Sequence, residues 1–120
     1  MHPLYEKAIE VAEKLKEARL QVAHLSSEWA EAEYDLSVAQ ARAERGLIKK
    51  VGGEKKLGST VESRERVFTL ARDADEDYRA QLERRNQAKI RLEQAKVEAA
   101  SLSDRLSIML AAMRAEKSNE

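Results

Sequence analysis

Residues 4–43 read LYEKAIEVAEKLKEARLQVAHLSSEWAEAEYDLSVAQARA. Apolar side chains recur along this stretch at alternating spacings of four and three, from Leu4 through Trp29 to Ala43, without a miss. Such an alternation predicts a long α-helix that packs one face against another helix. We call this series ladder 1; its members are Leu4, Ala8, Val11, Leu15, Ala18, Val22, Leu25, Trp29, Ala32, Leu36, Ala39 and Ala43.

The composition of the 120-residue chain agrees with long helices. Charged residues make up 37%, aromatic residues 4%, and there are one proline and four glycines, a mixture that is typical of helical coiled coils rather than of sheet proteins or disordered chains. The absence of cysteine excludes a disulfide framework and a thiolate metal site. The first residues lack the apolar stretch of a signal peptide, and no eighteen apolar residues run together, so we expect a soluble cytoplasmic protein without membrane contact.

A second apolar series follows in the other half of the chain. It is interrupted by polar residues at Gln81 and Arg85, which indicates either a stutter in the heptad period or a polar layer that fixes the register. We call this series ladder 2; its members are Val67, Ala71, Ala74, Tyr78, Gln81, Arg85, Ala88, Leu92, Ala95, Ala99, Leu102, Leu106, Met109 and Met113.

Glycines and helix-capping residues give the boundaries of one helical-hairpin domain over residues 1–120. We predict a first helix over residues 3–45, because Pro3 suits a first helical turn and Gly46 follows the last turn. A basic Gly/Lys loop over 46–58 contains the breaker Gly52-Gly53. A second helix over 59–115 begins at an S-x-x-E capping box, Ser59 to Glu62, and a frayed tail covers 116–120.

The predicted fold class is all-α, a long antiparallel helical hairpin of the coiled-coil type. If Arg45 faces Thr60, the numbers of paired residues add up to about 105, and Leu4 lies opposite Ser101. The rest of the second helix would then overhang and expose apolar side chains on nearly every side. We therefore predict that two hairpins assemble into a four-helix bundle dimer. The predicted interface with a second copy or a protein partner consists of Trp29, Leu102, Leu106, Met109, Leu110 and Met113.

A second apolar stripe lies beside ladder 1 and supports the same assembly. A two-helix hairpin would leave this stripe in water, and self-association would cover it. Its members are Ile9, Ala12, Leu20, Ala23, Ala30 and Tyr34.

The net charge is zero, with 22 basic and 22 acidic residues, but the charges are grouped. Residues 42–66 carry eight basic and four acidic side chains, and Lys49, Lys50, Lys55 and Lys56 flank the glycine pair. Such a tip can contact phosphate groups through counterion release, and the other interpretation is a loop kept solvated by lysine. We expect the basic residues from Arg84 to Arg91 to pair across the hairpin with Glu28 or Glu31.

No pattern in the chain indicates an enzyme. His24 lacks the Glu-x-x-His partner of a di-iron site, and the acidic run from Asp73 to Asp77 lacks the glycine and the spacing of a calcium loop, so we interpret that run as a solvated helix face. The serines have no histidine in reach, and no glycine loop for phosphate is present. We predict no catalytic, cofactor-binding or metal-binding residue.

One segment resembles a known group of proteins. The stretch KLGSTVESR at 56–64, followed by Asp73 and by Asp77-Tyr78, is similar to small coiled-coil accessory proteins of bacteriophages and prophages, in which a G-x-N-x-E-E-R-like turn opens the second helix. Thr60 stands where that group has asparagine, and Ser63 where it has a second acid. The resemblance covers about a quarter of the chain and implies an accessory protein, often encoded near single-strand recombination functions, without catalytic residues.

Three functional hypotheses follow from the sequence. The first is a non-enzymatic accessory or adaptor protein of phage or prophage type that acts through protein–protein contacts. The second is a nucleic-acid-associated factor that contacts phosphates through the basic tip. The third is a coiled-coil chaperone of an export apparatus, which the hairpin length suggests but no motif supports.

Overall fold

A computed structural model describes residues 2–118 of the chain, and all of its regular elements in that range are helical. Helix α1 comprises Tyr5–Val51, a 3-10 helix comprises Glu54–Leu57, α2 comprises Val61–Ala74 and α3 comprises Glu76–Ser118. No strand occurs within residues 2–118. The all-α fold class is therefore confirmed.

Helix α1 is longer than the sequence predicted. It begins at Tyr5, two residues later than predicted, and continues through Gly46 to Val51, whereas a helix ending at Arg45 was expected. A single glycine inside a helix costs only about 1 kcal/mol, and the partly buried Leu47 and Ile48 beyond it offset that cost. The helix ends where Gly52 takes a φ of 86°, and the amides of Gly52 and Gly53 both donate to the carbonyl oxygen of Ile48.

The second predicted helix is two helices in the structure. Helix α2 begins at Val61, two residues later than predicted, and a break at Asp75 separates it from α3. At the other end, α3 continues through Glu116 and Lys117 to Ser118, so the predicted frayed tail is helical over these residues. The tail residues 119–120 lie outside the described residues.

The chain divides into two compact units, which we describe separately. Unit 1 comprises Met1–Ser27 and Ile90–Glu120, and unit 2 comprises Glu28–Lys89. In unit 1, the beginning of α1 packs along the end of α3. The buried side chains there are aliphatic: Ala8, Val11, Leu15, Leu25 and Leu92.

Unit 2 contains the end of α1, the tip, α2 and the beginning of α3. Its buried side chains are mostly alanines: Ala32, Leu36, Ala39, Ala43, Leu57 and Ala88. In both units, the residues of ladder 1 are buried or partly buried, as predicted. The residues of ladder 2 are also buried or partly buried, except for the exposed Ala74 beside the break at Asp75.

The pairing register differs from the prediction. In unit 1, the imidazole of His2 lies against the carboxylate of Glu116. In unit 2, cross-helix ion pairs join residue 33 to 85, 35 to 84 and 44 to 72. The numbers of each pair add up to between 116 and 119 rather than to about 105, because α1 runs on to Val51 and the chain turns later.

The predicted overhang is consequently absent from the described residues. With His2 opposite Glu116, the end of α3 in unit 1 has α1 beside it. Four residues that were assigned to the overhang are partly buried members of ladder 2, and Leu110 is 39% exposed. These four are Leu102, Leu106, Met109 and Met113. Their contact with a second copy stays a prediction, now without the overhang as its argument.

Candidate interaction surfaces

A polar layer interrupts the apolar packing of unit 2. The heptad spacing continues through Gln81 and Arg85, both partly buried, so the interruption is a polar layer and not a stutter. Arg85 Nη1 donates to Glu33 Oε1 at 3.2 Å, while the buried Arg85 Nε has no hydrogen-bond partner within residues 2–118. A shift of the helices would move the partly buried Arg85 away from the carboxylate of Glu33, so we infer that this layer favours the observed register over neighbouring ones.

Arg84 extends this layer on the surface. Its Nη1 lies 2.5 Å from Asp35 Oδ2, and its Nη2 lies 3.8 Å from Glu31. The predicted pairing with Glu31 is thus confirmed for Arg84, although Asp35 is the closer partner, and Arg85 pairs with Glu33 instead. The hydrogen bond to Asp35 raises the pKa of the Arg84 guanidinium, and the charges of Asp35 and Glu31 act in the same direction. A raised pKa means that any contribution to stability is complete below the ordinary pKa of arginine and is lost only as the pH rises through the raised value.

A second ion pair lies nearer the tip and is better shielded from water. Arg72 Nη1 donates to Glu44 Oε1 at 2.8 Å, and the two side chains are 17% and 26% exposed. Arg72 Nη2 also donates to Thr69 Oγ1 at 3.1 Å, which holds the guanidinium in place. This pair joins α2 to α1.

The predicted basic tip is present at the surface of unit 2. Lys49, Lys50, Lys55 and Lys56 are all exposed, and none of them forms an ion pair within the described range. The short 3-10 helix between Gly53 and Gly58 is held by Leu57, which is 7% exposed. The lysines at the end of α1 also lie where cations favour the helix dipole, which is a structural reason for their presence.

The turn into α2 uses a different capping box from the one predicted. Thr60, not Ser59, is the N-cap: its Oγ1 accepts from the Ser63 amide at 3.1 Å, and the Thr60 amide donates to Ser63 Oγ at 3.2 Å. Arg64 Nε closes the turn by donating to the Gly58 carbonyl oxygen at 3.1 Å. The box shifts by one residue because Ser63, three residues after Thr60, supplies the reciprocal hydroxyl.

The acidic run serves as a helix start, which the sequence analysis missed. Asp75 Oδ1 accepts from the Tyr78 amide at 2.8 Å, so Asp75 is the N-cap of α3. Glu76 and Asp77 fill the first turn, where acidic side chains favour the helix dipole. Three consecutive acidic residues were the available signal, but the apolar period across them predicted a continuous helix.

Trp29 lies in unit 2 at a position of ladder 1. Its side chain is partly buried, and the buried indole Nε1 has no hydrogen-bond partner in the described part of the chain. Packing of the ring therefore outweighs the lost hydrogen bond at this position.

The outer face of α3 in unit 1 carries a shallow, open surface between its own side chains, which we call the α3 groove. Val97 and Ile108 are each 71% exposed in it, although both are large apolar residues. Asp104 and Arg105 lie between them, and neither forms an ion pair within residues 2–118. The lining residues are Val97, Ala100, Ser101, Asp104, Arg105, Ile108 and Met109.

Helix α1 also exposes large apolar side chains in both units. In unit 1, Ile9 is 44% exposed and Leu20 is 62% exposed. In unit 2, Tyr34 is 69% exposed. The stripe predicted beside ladder 1 is thus left uncovered by the chain itself, as expected.

No group of three or more histidine, aspartate or glutamate side chains in residues 2–118 is placed to hold a metal ion, and His24 is exposed. Over the same range, none of the helices combines the length and the apolar character that crossing a bilayer requires.

Comparison with known proteins adds no relative to this description. No family model, no curated protein and no solved structure matches the chain.

Proposed function

We propose that this protein is a non-enzymatic coiled-coil adaptor of the cytoplasm that acts by binding another protein. The observation that carries the proposal is the α3 groove, where Val97 and Ile108 remain 71% exposed while ladder 2 on the same helix is packed against α1. An apolar surface rimmed by polar residues is typical of a protein-binding site. The resemblance to phage accessory proteins points to the same class of function.

The shape and chemistry of the α3 groove favour a helical partner. Two apolar side chains eleven positions apart lie on one face of a helix, three turns from each other. Amphipathic helices bind such surfaces through residues at helical spacing. The free charges of Asp104 and Arg105 between the apolar residues would then select partners with complementary charges.

The test is a comparison of two double variants in partner capture. Val97→Glu/Ile108→Glu places charges in the groove, whereas Asn86→Glu/Ser107→Glu adds the same charge at exposed polar positions of α3 outside it. Proteins cross-linked to the wild type in cells of the source organism should be lost with the first variant and kept with the second. Helix content by circular dichroism should be equal in all three proteins, because all four positions are exposed.

Two outcomes would contradict the adaptor proposal. One is a cross-linked partner that the groove variant retains at the wild-type level. The other is a purified partner that binds both double variants with the wild-type Kd in a titration. A loss of more than about tenfold in affinity, confined to the groove variant, is expected from removing two apolar contacts.

We further propose that two copies form a bundle dimer in which each copy contributes α1 and α3 to a group of four helices. The support is the exposed apolar stripe of α1 together with Leu110, the member of the predicted interface set that is 39% exposed. Sedimentation equilibrium should give a dimer, and Leu20→Glu, which places a charge in the α1 stripe, should weaken it. A monomer at all concentrations would contradict this part of the proposal and leave the α3 groove untouched.

A second candidate function is phosphate binding by the tip. The observation in its favour is that Lys49, Lys50, Lys55 and Lys56 are exposed and free of ion pairs in the described range. DNA titration over a salt series should then show an affinity that falls steeply with salt. Changing these four lysines to glutamate should abolish binding.

The matched control for the tip carries the same change of charge elsewhere. Four other exposed lysines, Lys7, Lys89, Lys96 and Lys117, are changed to glutamate in one variant. If this control loses binding as fully as the tip variant, the affinity reflects overall charge and not the tip. Absence of DNA binding by the wild type at low salt would remove this candidate.

A further inference from the structure

Helix α1 carries a third series of residues at alternating spacings of three and four, and this one faces away from the packed ladder. It lies within unit 1 and starts at Glu6. All of its side chains are exposed. We call this series the outer ladder; its members are Glu6, Ile9, Glu13, Lys16, Leu20 and Ala23.

Spacings of three and four place these residues along one line of the helix. In the heptad frame of ladder 1, they occupy the b and f positions, nearly opposite to the a and d positions that pack in unit 1. Ile9 and Leu20, at 44% and 62% exposed, are the large apolar members. The outer ladder therefore has the geometry of a second helix-packing face that the chain does not cover.

The order of residues in the outer ladder is self-complementary for an antiparallel partner. Reversing the ladder about the point between residues 14 and 15 brings Ile9 opposite Leu20. The same reversal brings Glu13 opposite Lys16. It also places Glu6 opposite the small Ala23. Each b position then meets an f position, which is the alternation that antiparallel helix packing requires.

The charges at the centre of this series are available for such pairing. Neither Glu13 nor Lys16 forms an ion pair within residues 2–118, although Glu10 and Lys14 beside them pair with each other at 3.7 Å. A two-fold axis repeats each contact, so one apolar pair and one charged pair in the sequence become two of each in the dimer. A two-fold contact with a second copy requires the series to be complementary to its own reversed order. Binding to an unrelated partner carries no such requirement.

We propose that the outer ladder is the surface through which a second copy of this chain binds, with the two α1 helices antiparallel and a two-fold axis near residues 14 and 15. This inference rests on the self-association proposed above, assigns its contact to α1 and not to Leu110 of α3, and specifies the register. Ile9 of one copy packs against Leu20 of the other, and Lys16 faces Glu13. Because this contact contains few large apolar residues, the dimer is in exchange with monomer.

The absence of cysteine from the chain allows a direct test by disulfide trapping. Ile9→Cys and Leu20→Cys are made as separate variants. When they are mixed and oxidised, a disulfide-linked dimer should form. Either variant alone should stay largely unlinked, because its two thiols lie about 16 Å apart along the helices, whereas a disulfide needs Cα atoms within about 7 Å.

A further cysteine variant controls for chance collisions. Val97→Cys lies on the outer face of α3 and is more exposed than either test position. Mixed with Ile9→Cys, it should give no more linked dimer than either protein alone. Efficient linkage in this control, or in Ile9→Cys by itself, would overturn the proposed register.

Charge reversal tests the central pair without cysteine. Lys16→Glu and Glu13→Lys each create two like-charge contacts in the dimer and should weaken dimerisation about tenfold at low salt. The combined variant Glu13→Lys/Lys16→Glu restores opposite charges and should recover the wild-type dimerisation constant in sedimentation. Lys7→Glu changes the same charge outside the outer ladder and should have little effect.

The outcomes separate this inference from the proposals on which it builds. Sedimentation could show a dimer that forms no mixed disulfide and whose dimerisation constant is unchanged by the charge reversals. This result would exclude the outer ladder as the interface but would still support self-association. A monomer under all conditions would overturn both. The adaptor function is read from the α3 groove variants, which change no residue of the outer ladder.

Discussion

Unit 1 and unit 2 are built from the same kind of ladder but are held together differently. In unit 1, the buried side chains include Val11, Leu15, Leu25 and Leu92. In unit 2, most buried positions are alanine, and the cross-helix contacts include four arginine–carboxylate ion pairs, one of them in the partly buried polar layer.

This difference suggests that folding stability and the choice of pairing register come from different units. Burying a leucine contributes about 1.5–3 kcal/mol and an alanine much less, so unit 1 has more apolar stabilisation per turn. An aliphatic face would accept several registers, whereas a charge such as Arg85 matches one partner position. We infer that unit 1 contributes most of the free energy of folding and that unit 2 selects the pairing.

The largest expected effect on stability comes from truncating a buried leucine in unit 1. Leu15, which is 5% exposed, should cost about 2–5 kcal/mol when changed to alanine, because a cavity is added to the lost burial. Ala39→Gly in unit 2 should cost about 1 kcal/mol. Urea unfolding followed by circular dichroism measures both; equal losses would contradict the division between the units.

The next test concerns the glycines around the tip. A Cβ on Gly58 would lie 2.3 Å from Ser63 Oγ, whereas a Cβ on Gly46 would meet nothing within 4 Å. Gly58→Ala should therefore destabilise the protein by about 1–3 kcal/mol, and Gly46→Ala should stabilise it by about 1 kcal/mol. Thermal unfolding of the two variants should shift in opposite directions. A shift in the same direction would contradict the course of α1 through Gly46.

The shielded ion pair of unit 2 should have a smaller effect. Arg72→Ala leaves the partly buried Glu44 without its cationic partner, with Gln40 Nε2 still donating at 3.4 Å, and should cost about 1–2 kcal/mol. The cost should fall little with added salt, since both groups are mostly shielded. Arg84→Ala, in contrast, should lose its effect at high salt because this side chain is exposed. Unfolding at low and high salt compares them, and identical salt dependence would contradict the difference in shielding.

The smallest effect tests the position of the cap. Thr60→Ala should cost about 1 kcal/mol, because the Ser63 amide loses its acceptor, and Ser59→Ala should change the stability by less than about 0.5 kcal/mol. The free energies of unfolding of the two variants decide between the capping boxes. A larger loss of stability from Ser59→Ala than from Thr60→Ala would instead support the predicted S-x-x-E capping box.

The sequence predicted the helical class and the buried face of each helix, because a 4-3 period depends on local spacing alone. It did not predict the register, which depended on whether α1 ends at Gly46. That choice is a competition between one glycine and the burial of Leu47 and Ile48, and it is decided by tertiary contacts. The break at Asp75 was missed for a related reason, since the apolar period runs across it while the Asp75 side chain caps a new helix.

For the candidate surfaces, the exposed tip lysines and the α1 stripe could be predicted from sequence. The α3 groove could not be predicted. The wrong register left the end of α3 without a partner helix, and in an unpaired helix the packing face and the outer face are both exposed. With His2 opposite Glu116, ladder 2 is covered and Val97 and Ile108 stand out as the uncovered residues.

The spacing of the ion pairs along the chain also has a kinetic consequence. The pair nearest the tip, Glu44 with Arg72, closes 28 residues, and Glu33 with Arg85 closes 52. Closing a loop costs about 0.6 kcal/mol more for each doubling of its length, so the shorter closure forms at the lower entropic cost. We expect the transition state for folding to contain the tip with its charged pairs, while the aliphatic packing of unit 1 forms later. Mutations near Arg72 would then slow folding, and mutations at Leu15 would mainly accelerate unfolding.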